Sequence, residues 1–165
     1  MKRIVKEHAL NGAYGLLAIA FLALLIINFV VTPMNVDGKS MEPTLTDDQQ
    51  IWVNQLAYKI GEADYEDIVV ALNSANENKT KLVKRVVGKP GDTIEFREGV
   101  MYRNGTEMKN IVLPANYDGA TGFDAPLNLE DGEYYLLGDN LPESVDSREM
   151  GAFNSANFVG KVIFN

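Results

Sequence analysis

The chain has 165 residues, no cysteine and a formal net charge of −8. Its length suits one folded domain with an appendage, since domains span roughly 100 to 200 residues. The absence of cysteine excludes disulfides, thiolate metal sites and a cysteine nucleophile. Because a phosphate-binding surface needs clustered Lys and Arg, so acidic a chain is not expected to have nucleic acid as a partner.

The first predicted element is an N-terminal transmembrane helix. No Asp, Glu, Lys or Arg occurs from His8 to Val36, and the stretch Tyr14–Val31 is mainly apolar. A membrane-spanning helix needs about 20 such residues to cross about 30 Å of hydrocarbon. A buried core helix would instead show a polar face with a period of 3.6 residues, and this stretch shows none.

A cleaved secretory signal is the alternative to a retained anchor. The apolar region of such a signal covers about 7 to 15 residues and ends at a small-x-small site. Here the apolar run continues into bulky residues, and Lys2, Arg3 and Lys6 precede it. The positive-inside bias then predicts a single-pass anchor in residues 1–33, with the N-terminus in the cytoplasm and residues 34–165 outside the cell membrane.

The rest of the chain has the spacing of short β-strands. Apolar or alternating runs separated by turn residues occur at Ile68–Leu72, Lys81–Val87, Thr93–Phe96, Val100–Arg103, Glu133–Leu137 and Phe158–Phe164. Asn104-Gly105 is a strong hairpin signal, and Asp47–Tyr58 is the best helical candidate after the anchor. The predicted fold is mainly β, with a single N-terminal transmembrane helix followed by a curled or barrel-like antiparallel domain.

Ser40 is a candidate nucleophile soon after the predicted anchor. It lies between the permissive Gly38 and Pro43, which fixes the backbone. Such a segment can expose a hydroxyl while backbone N–H groups face a developing oxyanion. The segment by itself also fits an ordinary turn. The chain has one histidine, His8, which precedes the anchor, so a histidine-based triad is excluded.

Lys84 is a candidate general base. Alternation along its strand places Leu82, Lys84 and Val86 on one face. An amine between two apolar neighbours loses contact with solvent, which lowers its pKa and lets it accept a proton near neutral pH. The alternative is an edge-strand lysine that discourages aggregation.

A polar loop, Gly138–Gly151, follows the apolar strand predicted at Glu133–Leu137. Asp146 and Arg148 can form an ion pair that shapes this loop. Ser144 can orient an amine through a hydrogen bond. The loop therefore offers polar groups that could support a catalytic lysine.

Calcium is a competing occupant of this loop, because Asp139, Glu143 and Asp146 are close in sequence. Their spacing does not match an EF-hand loop, and Pro142 interrupts it. The sequence therefore predicts neither a metal site nor a cofactor.

In this order behind an anchor, the segments resemble the bacterial type I signal peptidases, in their short Gram-positive form. The nucleophile pattern S-M-x-P-T-L matches Ser40–Leu45, and the base pattern K-R-V-x-G-x-P-G-D matches Lys84–Asp92. The pattern G-D-N-x(3)-S-x-D-S-R-x-x-G matches Gly138–Gly151 at every fixed position, and Asp67–Val70 resembles the remaining family segment. The resemblance covers essentially the whole chain. One departure is Leu141, where the family usually has Arg.

This resemblance implies a membrane-bound serine endopeptidase that cleaves N-terminal signal peptides from exported preproteins. Residues 34–165 would then be an extracytoplasmic catalytic domain that uses a Ser/Lys dyad. By the resemblance, Ser40 is the nucleophile, Lys84 is the general base, and Ser144 orients the lysine amine. The other residues that support the site by resemblance are Asp146, Arg148 and Asp139.

The resemblance also implies how a preprotein is bound. Backbone N–H groups of Ser40 and Gly38 are the expected oxyanion donors. An extended preprotein segment would lie against a sheet edge, with small residues before the cut held in shallow apolar pockets. The residues expected to line these pockets, which equally fit a plain core, are Val36, Met41, Leu45, Leu82 and Val83.

Two other functions compete with peptidase activity. Some signal-peptidase-like proteins act in pilus assembly without cleaving, but those relatives lack the dyad, and Ser40 and Lys84 are both present here. A self-cleaving repressor of the related Ser/Lys fold would need a DNA-binding domain in place of the anchor. The non-proteolytic accessory protein is the alternative that stays open.

Overall fold

The structure, a computed structural model, describes residues 12–24, 30–73, 80–113 and 125–164. The chain divides into two compact units, Met1–Thr32 and Pro33–Asn165. In the first unit, residues 12–24 form helix α1. No helix among the described residues is both long enough and apolar enough to span a bilayer. Residues 25–29 of the predicted transmembrane segment lie outside the described residues.

The second unit is built mainly from strands. In chain order the strands are β1 (Val31–Asn35), β2 (Gln50–Asn54), β3 (Ile68–Leu72), β4 (Lys81–Gly88), β5 (Thr93–Arg97), β6 (Val100–Arg103), β7 (Thr106–Val112), β8 (Leu127–Asn128), β9 (Glu133–Leu137), β10 (Phe153–Asn154) and β11 (Phe158–Phe164). The short helices are α2 (Ala57–Ile60) and α3 (Ser147–Met150), with 3-10 turns at Leu141–Glu143 and Ser155–Asn157.

The strands form a seven-stranded sheet in the order β1-β2-β11-β3-β4-β9-β10 and a four-stranded sheet in the order β7-β6-β5-β8. The pairs around β4 and β11 are antiparallel, and the register shifts within β4 and β11. Because such bulges bend a strand and increase its twist, the large sheet is curled. The predicted mainly β, antiparallel fold is confirmed.

Strand β4 lies inside the large sheet. Its neighbours are β3, where Val69 pairs with Lys84, and β9, where Leu137 pairs with Arg85. The interpretation of Lys84 as an edge-strand lysine is therefore wrong. A central strand carries this side chain into the interior instead.

Two local sequence signals can be compared with the structure: the Asn104-Gly105 turn and the helical candidate Asp47–Tyr58. Asn104-Gly105 joins β6 to β7, and both residues have a positive φ, of 54° and 75°, as an Asn-Gly hairpin requires. The helix predicted over Asp47–Tyr58 is wrong, because its centre, Gln50–Asn54, is strand β2 and only its last two residues, Ala57 and Tyr58, belong to helix α2. In β2, Ile51 and Val53 are buried and Trp52 between them is exposed, which is a period of two rather than 3.6.

Apolar packing joins the two sheets. Val87 and Leu137 of the large sheet share a buried cluster with Ile94 and Met101 of the small sheet. At Gly88 an added Cβ would lie 2.9 Å from side-chain atoms of Ile94, Leu129 and Tyr135. Only glycine permits so close an approach, so Gly88, the last residue of β4, sets the spacing between the two sheets.

The turn that follows β4 is fixed by a buried carboxylate. Asp92 is 5% exposed and accepts hydrogen bonds from Tyr65 Oη, the Lys89 backbone N–H and Asn104 Nδ2 at 2.9, 2.8 and 2.7 Å. A buried charge is tolerated when several donors satisfy it. Asp92, the last residue of the base pattern, therefore joins the turn after β4 to the Asn104-Gly105 turn.

Candidate active site

The site forms where the segment after β1 meets strand β4. Lys84 Nζ donates a hydrogen bond to Ser40 Oγ at 2.6 Å. Lys84 is 3% exposed, whereas Ser40 is half-buried, so the amine lies behind the hydroxyl. The two residues that the sequence singled out as nucleophile and base are in direct contact.

Burial lowers the pKa of Lys84 to about 8. The nearby Asp146 and Asp139 raise this pKa and Arg148 lowers it, and these effects are smaller than that of burial. At pH 7 an amine with this pKa is uncharged in roughly a tenth of molecules. The same 2.6 Å contact then allows the hydroxyl to donate its proton to the amine.

Hydrogen bonds from a distant loop hold the backbone at Ser40. The Asn140 backbone N–H donates to Ser40 O at 3.0 Å, and Asn140 Nδ2 donates to Lys39 O at 3.1 Å. On the other side, the Gly38 N–H donates to Asp47 Oδ1 at 2.8 Å. This last bond engages the amide that an oxyanion donor at Gly38 would use, so the geometry does not support that predicted role.

Gly138 leaves no room for a side chain. A Cβ there would lie 2.3 Å from Ser144 Oγ and 2.5 Å from Ser40 O. Real Cβ atoms do not approach other atoms so closely, and one of the two atoms belongs to the rigid backbone of the nucleophile. The first residue of the loop therefore packs directly against Ser40.

An ion pair forms the centre of this loop. Asp146 and Arg148 are both 0% exposed, and Arg148 Nε and Nη2 donate to the two carboxylate oxygens at 2.8 and 2.9 Å. The same carboxylate accepts from Ser144 Oγ at 2.7 Å and from the Gly138 N–H at 3.0 Å. Arg148 Nη2 also donates to Leu141 O at 2.7 Å. The pair thus fixes the loop that contacts Ser40, while the role of Ser144 toward the lysine amine stays a prediction.

Asp139 pairs with an arginine to which sequence reasoning gave no role. Arg85 Nε and Nη2 donate to the two Asp139 carboxylate oxygens at 2.7 and 2.6 Å. Arg85 also donates to Glu66 O at 3.0 Å and to Thr44 Oγ1 at 3.4 Å. It therefore connects the loop to the segment that follows Ser40.

Two of the three carboxylates on which the calcium interpretation was based are engaged by arginines. Asp139 is bound by Arg85 and Asp146 by Arg148. Within the described ranges, no three His, Cys, Asp or Glu side chains are grouped as metal ligands. A hydroxyl in contact with a buried amine is an arrangement that can carry out nucleophilic catalysis.

The five residues predicted to line the substrate pockets pack in two different apolar clusters. Val36, Met41, Leu45 and Val83 belong to one buried cluster, and the half-buried Leu82 packs against another. Their contact with substrate stays a prediction. A cavity of about 510 Å³ lies between β7, Arg85 and the Gly138–Leu141 segment, and neither Ser40 nor Lys84 lines it.

Sequence reasoning also missed Asn140 and Asp47 as partners of the nucleophile backbone. Asn140 occurs in the matched G-D-N pattern, which was the available signal. For Asp47 no such signal existed, because its hydrogen bond to Gly38 depends on a turn that lay in the region wrongly predicted as helix.

A family model, two relatives and a solved structure that match this chain are all described as signal peptidases. The family model described as "Signal peptidase, peptidase S26" matches residues 10–165. The protein named signal peptidase I S of Bacillus subtilis (strain 168) is 38% identical over 164 residues, which cover 94% of this chain and 87% of the relative. Signal peptidase IB of Staphylococcus aureus (strain Mu50) is 35% identical over 164 residues, covering 90% of this chain and 84% of the relative. A crystal structure of a signal peptidase I from Enterococcus faecalis is 27% identical and covers 63% of this chain and 99% of its own, with a TM-score of 0.49.

Proposed function

The chain belongs to the signal peptidase family, peptidase S26, and we propose that it cleaves signal peptides from exported preproteins with Ser40 as nucleophile and Lys84 as general base. The family membership confirms the resemblance found in the sequence and the serine endopeptidase class that it implied. The roles of individual residues are inferred from the geometry.

One observation carries the assignment of the two catalytic residues. The Lys84 amine lies 2.6 Å from the Ser40 hydroxyl, and burial lowers its pKa to about 8. A general base must lie within hydrogen-bonding reach of the proton that it takes, and its pKa must be near the working pH. Lys84 meets both requirements without a histidine.

The reaction follows from this contact. The uncharged Lys84 amine takes the hydroxyl proton as Ser40 Oγ bonds to the scissile carbonyl carbon, and the carbonyl oxygen becomes an oxyanion beside the Ser40 N–H. The Lys84 ammonium then gives its proton to the leaving amine as the peptide bond breaks. A water that Lys84 deprotonates releases the acyl group from Ser40 and restores the hydroxyl.

Two ion pairs hold in place the loop Gly138–Gly151, which packs against Ser40. The buried Asp146–Arg148 pair holds Gly138 and Ser144, and the Arg85–Asp139 pair holds the next residue of the loop. We expect Ser144 to orient the lysine amine, since its hydroxyl is fixed at the edge of the site by Asp146. Rigid support of this kind keeps reacting groups in a productive geometry.

We propose that residues 1–33 anchor the protein in the lipid bilayer and that residues 34–165 form the catalytic domain outside the cell membrane. The apolar stretch Tyr14–Val31 and the cations Lys2, Arg3 and Lys6 support this orientation. Protease added to intact protoplasts should then digest the catalytic domain. Full protection would contradict the proposed orientation.

We also propose where the preprotein binds. Small residues before the cut would enter apolar pockets that include Val36, Met41, Leu45, Leu82 and Val83. The non-proteolytic alternative in pilus assembly has no observation that favours it, since the nucleophile and base are both present and in contact.

The direct test is cleavage of a preprotein by the purified full-length chain in detergent. A preprotein with an Ala-x-Ala cleavage site should yield the mature protein, and sequencing of the new N-terminus should locate the cut after the second Ala. The matched control is Ser40→Ala, which removes the nucleophile alone and should leave the preprotein intact. Equal cleavage by both proteins would contradict the assignment of Ser40.

A further inference from the structure

Asn140 makes hydrogen bonds to the two carbonyl groups that flank the nucleophile. Its side-chain Nδ2 donates to Lys39 O at 3.1 Å, and its backbone N–H donates to Ser40 O at 3.0 Å. Asn140 is only half-buried, and it follows the rigid Gly138 and Asp139 positions of the loop. An amide side chain thus spans from this loop to the backbone that carries the reactive hydroxyl.

The hydrogen bond to Lys39 O also affects the Ser40 N–H, which belongs to the same peptide unit. A peptide unit is planar and trans, so the C=O of one residue and the N–H of the next point in opposite directions. Holding Lys39 O therefore fixes the direction of the Ser40 N–H. This N–H is the oxyanion donor that the mechanism uses, because the Gly38 N–H is already bound to Asp47.

We propose that Asn140 is a positioning residue that aims the Ser40 N–H at the oxyanion; the inference rests on the proposed function. An oxyanion donor acts on charge that develops only in the transition state. Misdirecting the Ser40 N–H should therefore slow the chemical step and leave substrate binding largely intact. The expected signature is a fall in kcat with little change in KM.

Two substitutions of Asn140 separate its side chain from its backbone. Asn140→Ala removes the donor to Lys39 O, and Asn140→Asp replaces the donor with a carboxylate oxygen that repels this carbonyl. Both variants keep the backbone N–H that donates to Ser40 O. Asn140→Ala adds no charge near Lys84, so the pH dependence of its cleavage should keep the wild-type midpoint, whereas the carboxylate of Asn140→Asp should raise the pKa of Lys84, as Asp139 does, and shift the midpoint upward.

The matched control makes the same chemical change far from the site. Asn128 is exposed on β8, and its Oδ1 accepts a hydrogen bond from Thr93 Oγ1 at 2.7 Å, which an aspartate can also accept. Asn128→Asp should therefore retain wild-type kcat and KM. It reports the effect of one added negative charge on this acidic protein.

The experiment measures kcat, KM, the pH profile and the melting temperature of the full-length wild type and all three variants in detergent. We expect kcat to fall about 10- to 100-fold in both Asn140 variants, up to the loss that a misplacement of about 1 Å causes and below the loss of about 100- to 1000-fold on removing an oxyanion donor. The assay temperature should lie well below each melting midpoint, so that unfolding does not contribute to the fall.

Two results would overturn the inference. One is a kcat within about twofold of wild type in both Asn140 variants, a range too small for a lost oxyanion contact. The other is a rise in KM that accounts for the whole loss, which would make Asn140 a substrate-binding residue. If the wild type itself leaves the preprotein intact, the proposed function fails and this inference fails with it, whereas active wild type with fully active variants overturns the inference alone.

Discussion

The amine of Lys84 lies 2.6 Å from the hydroxyl of Ser40, although 44 positions separate the two residues in the chain. The amine is almost completely buried, and Ser40 covers it on the side of the site. Burial without a neutralising carboxylate in direct contact favours the uncharged form of a lysine. The contact thus supplies a base at the position where the proposed reaction needs one.

Lys84→Arg should abolish cleavage as completely as Lys84→Ala. Arginine keeps the positive charge but effectively never loses its proton, so it cannot act as a base. Initial cleavage rates of one preprotein by the full-length proteins measure the effect. The double variant Ser40→Ala/Lys84→Ala should be hardly slower than either single variant, because residues that act as one unit are strongly non-additive. Substantial activity in Lys84→Arg would remove Lys84 from the mechanism.

Cleavage by the wild type should rise with pH and level off above about pH 8. The folded protein lowers the pKa of Lys84 from 10.5 to about 8, and only the uncharged amine is a base. Below the pKa, each pH unit should therefore change kcat/KM about tenfold. Rates measured from pH 6 to 10 test this expectation. A limb centred near the ordinary lysine pKa would show that burial does not tune the amine.

Arg148→Ala should destabilise the fold by about 3 to 5 kcal/mol and lower activity at the same time. The substitution leaves the fully buried Asp146 carboxylate without its partner, which is the costly way to break an ion pair. Arg97→Ala is the control, since Arg97 and Glu95 form an ion pair on the surface, where solvent screens the charges and such pairs contribute little to stability. Denaturant unfolding of both variants gives the two free energies. Similar small losses would show that the buried pair does not stabilise the loop.

Gly138→Ala should lower both activity and stability. The new methyl group would overlap Ser144 Oγ and the carbonyl of Ser40, and relieving such a clash costs about 1 to 3 kcal/mol. Gly61→Ala is the control, because its Cβ would meet only Ala57 O, at 3.3 Å, a tight contact that a shift of a few tenths of an ångström relieves, and its φ of −145° suits any residue. It should lose clearly less stability than Gly138→Ala. A fully active Gly138→Ala protein would mean that the loop can move away from Ser40 without consequence.

Much of the fold could be predicted because strand periodicity and turn chemistry are local. Ile68–Leu72, Val100–Arg103 and Glu133–Leu137 have the predicted bounds, and the Asn104-Gly105 hairpin is confirmed. The error over Asp47–Tyr58 has a physical cause. The apolar alternation of β2 is only a few residues long, and its pairing with β11, near the end of the chain, decides its conformation. Local propensity cannot report such a partner.

The sequence indicated which residues form the site, but only part of how they contact one another. The motifs identified Ser40, Lys84 and the loop, yet the sequence did not reveal which carboxylate pairs with which arginine. Asp139 binds Arg85, 54 positions away, and the Gly38 amide is taken by Asp47. The first contact depends on how β4 and β9 lie side by side, and the second on the turns between β1 and β2, neither of which the order of the motifs contains. The catalytic roles themselves stay predictions.

The bond between Asn140 and the carbonyl of Lys39 joins residues 101 positions apart. A ribosome therefore makes the nucleophile long before it makes the loop that holds it. Until that loop has been synthesised and has folded onto β4, the chain has a serine without the support that aims it. We therefore expect a chain that ends before this loop to lack peptidase activity, because its serine is not yet held in place.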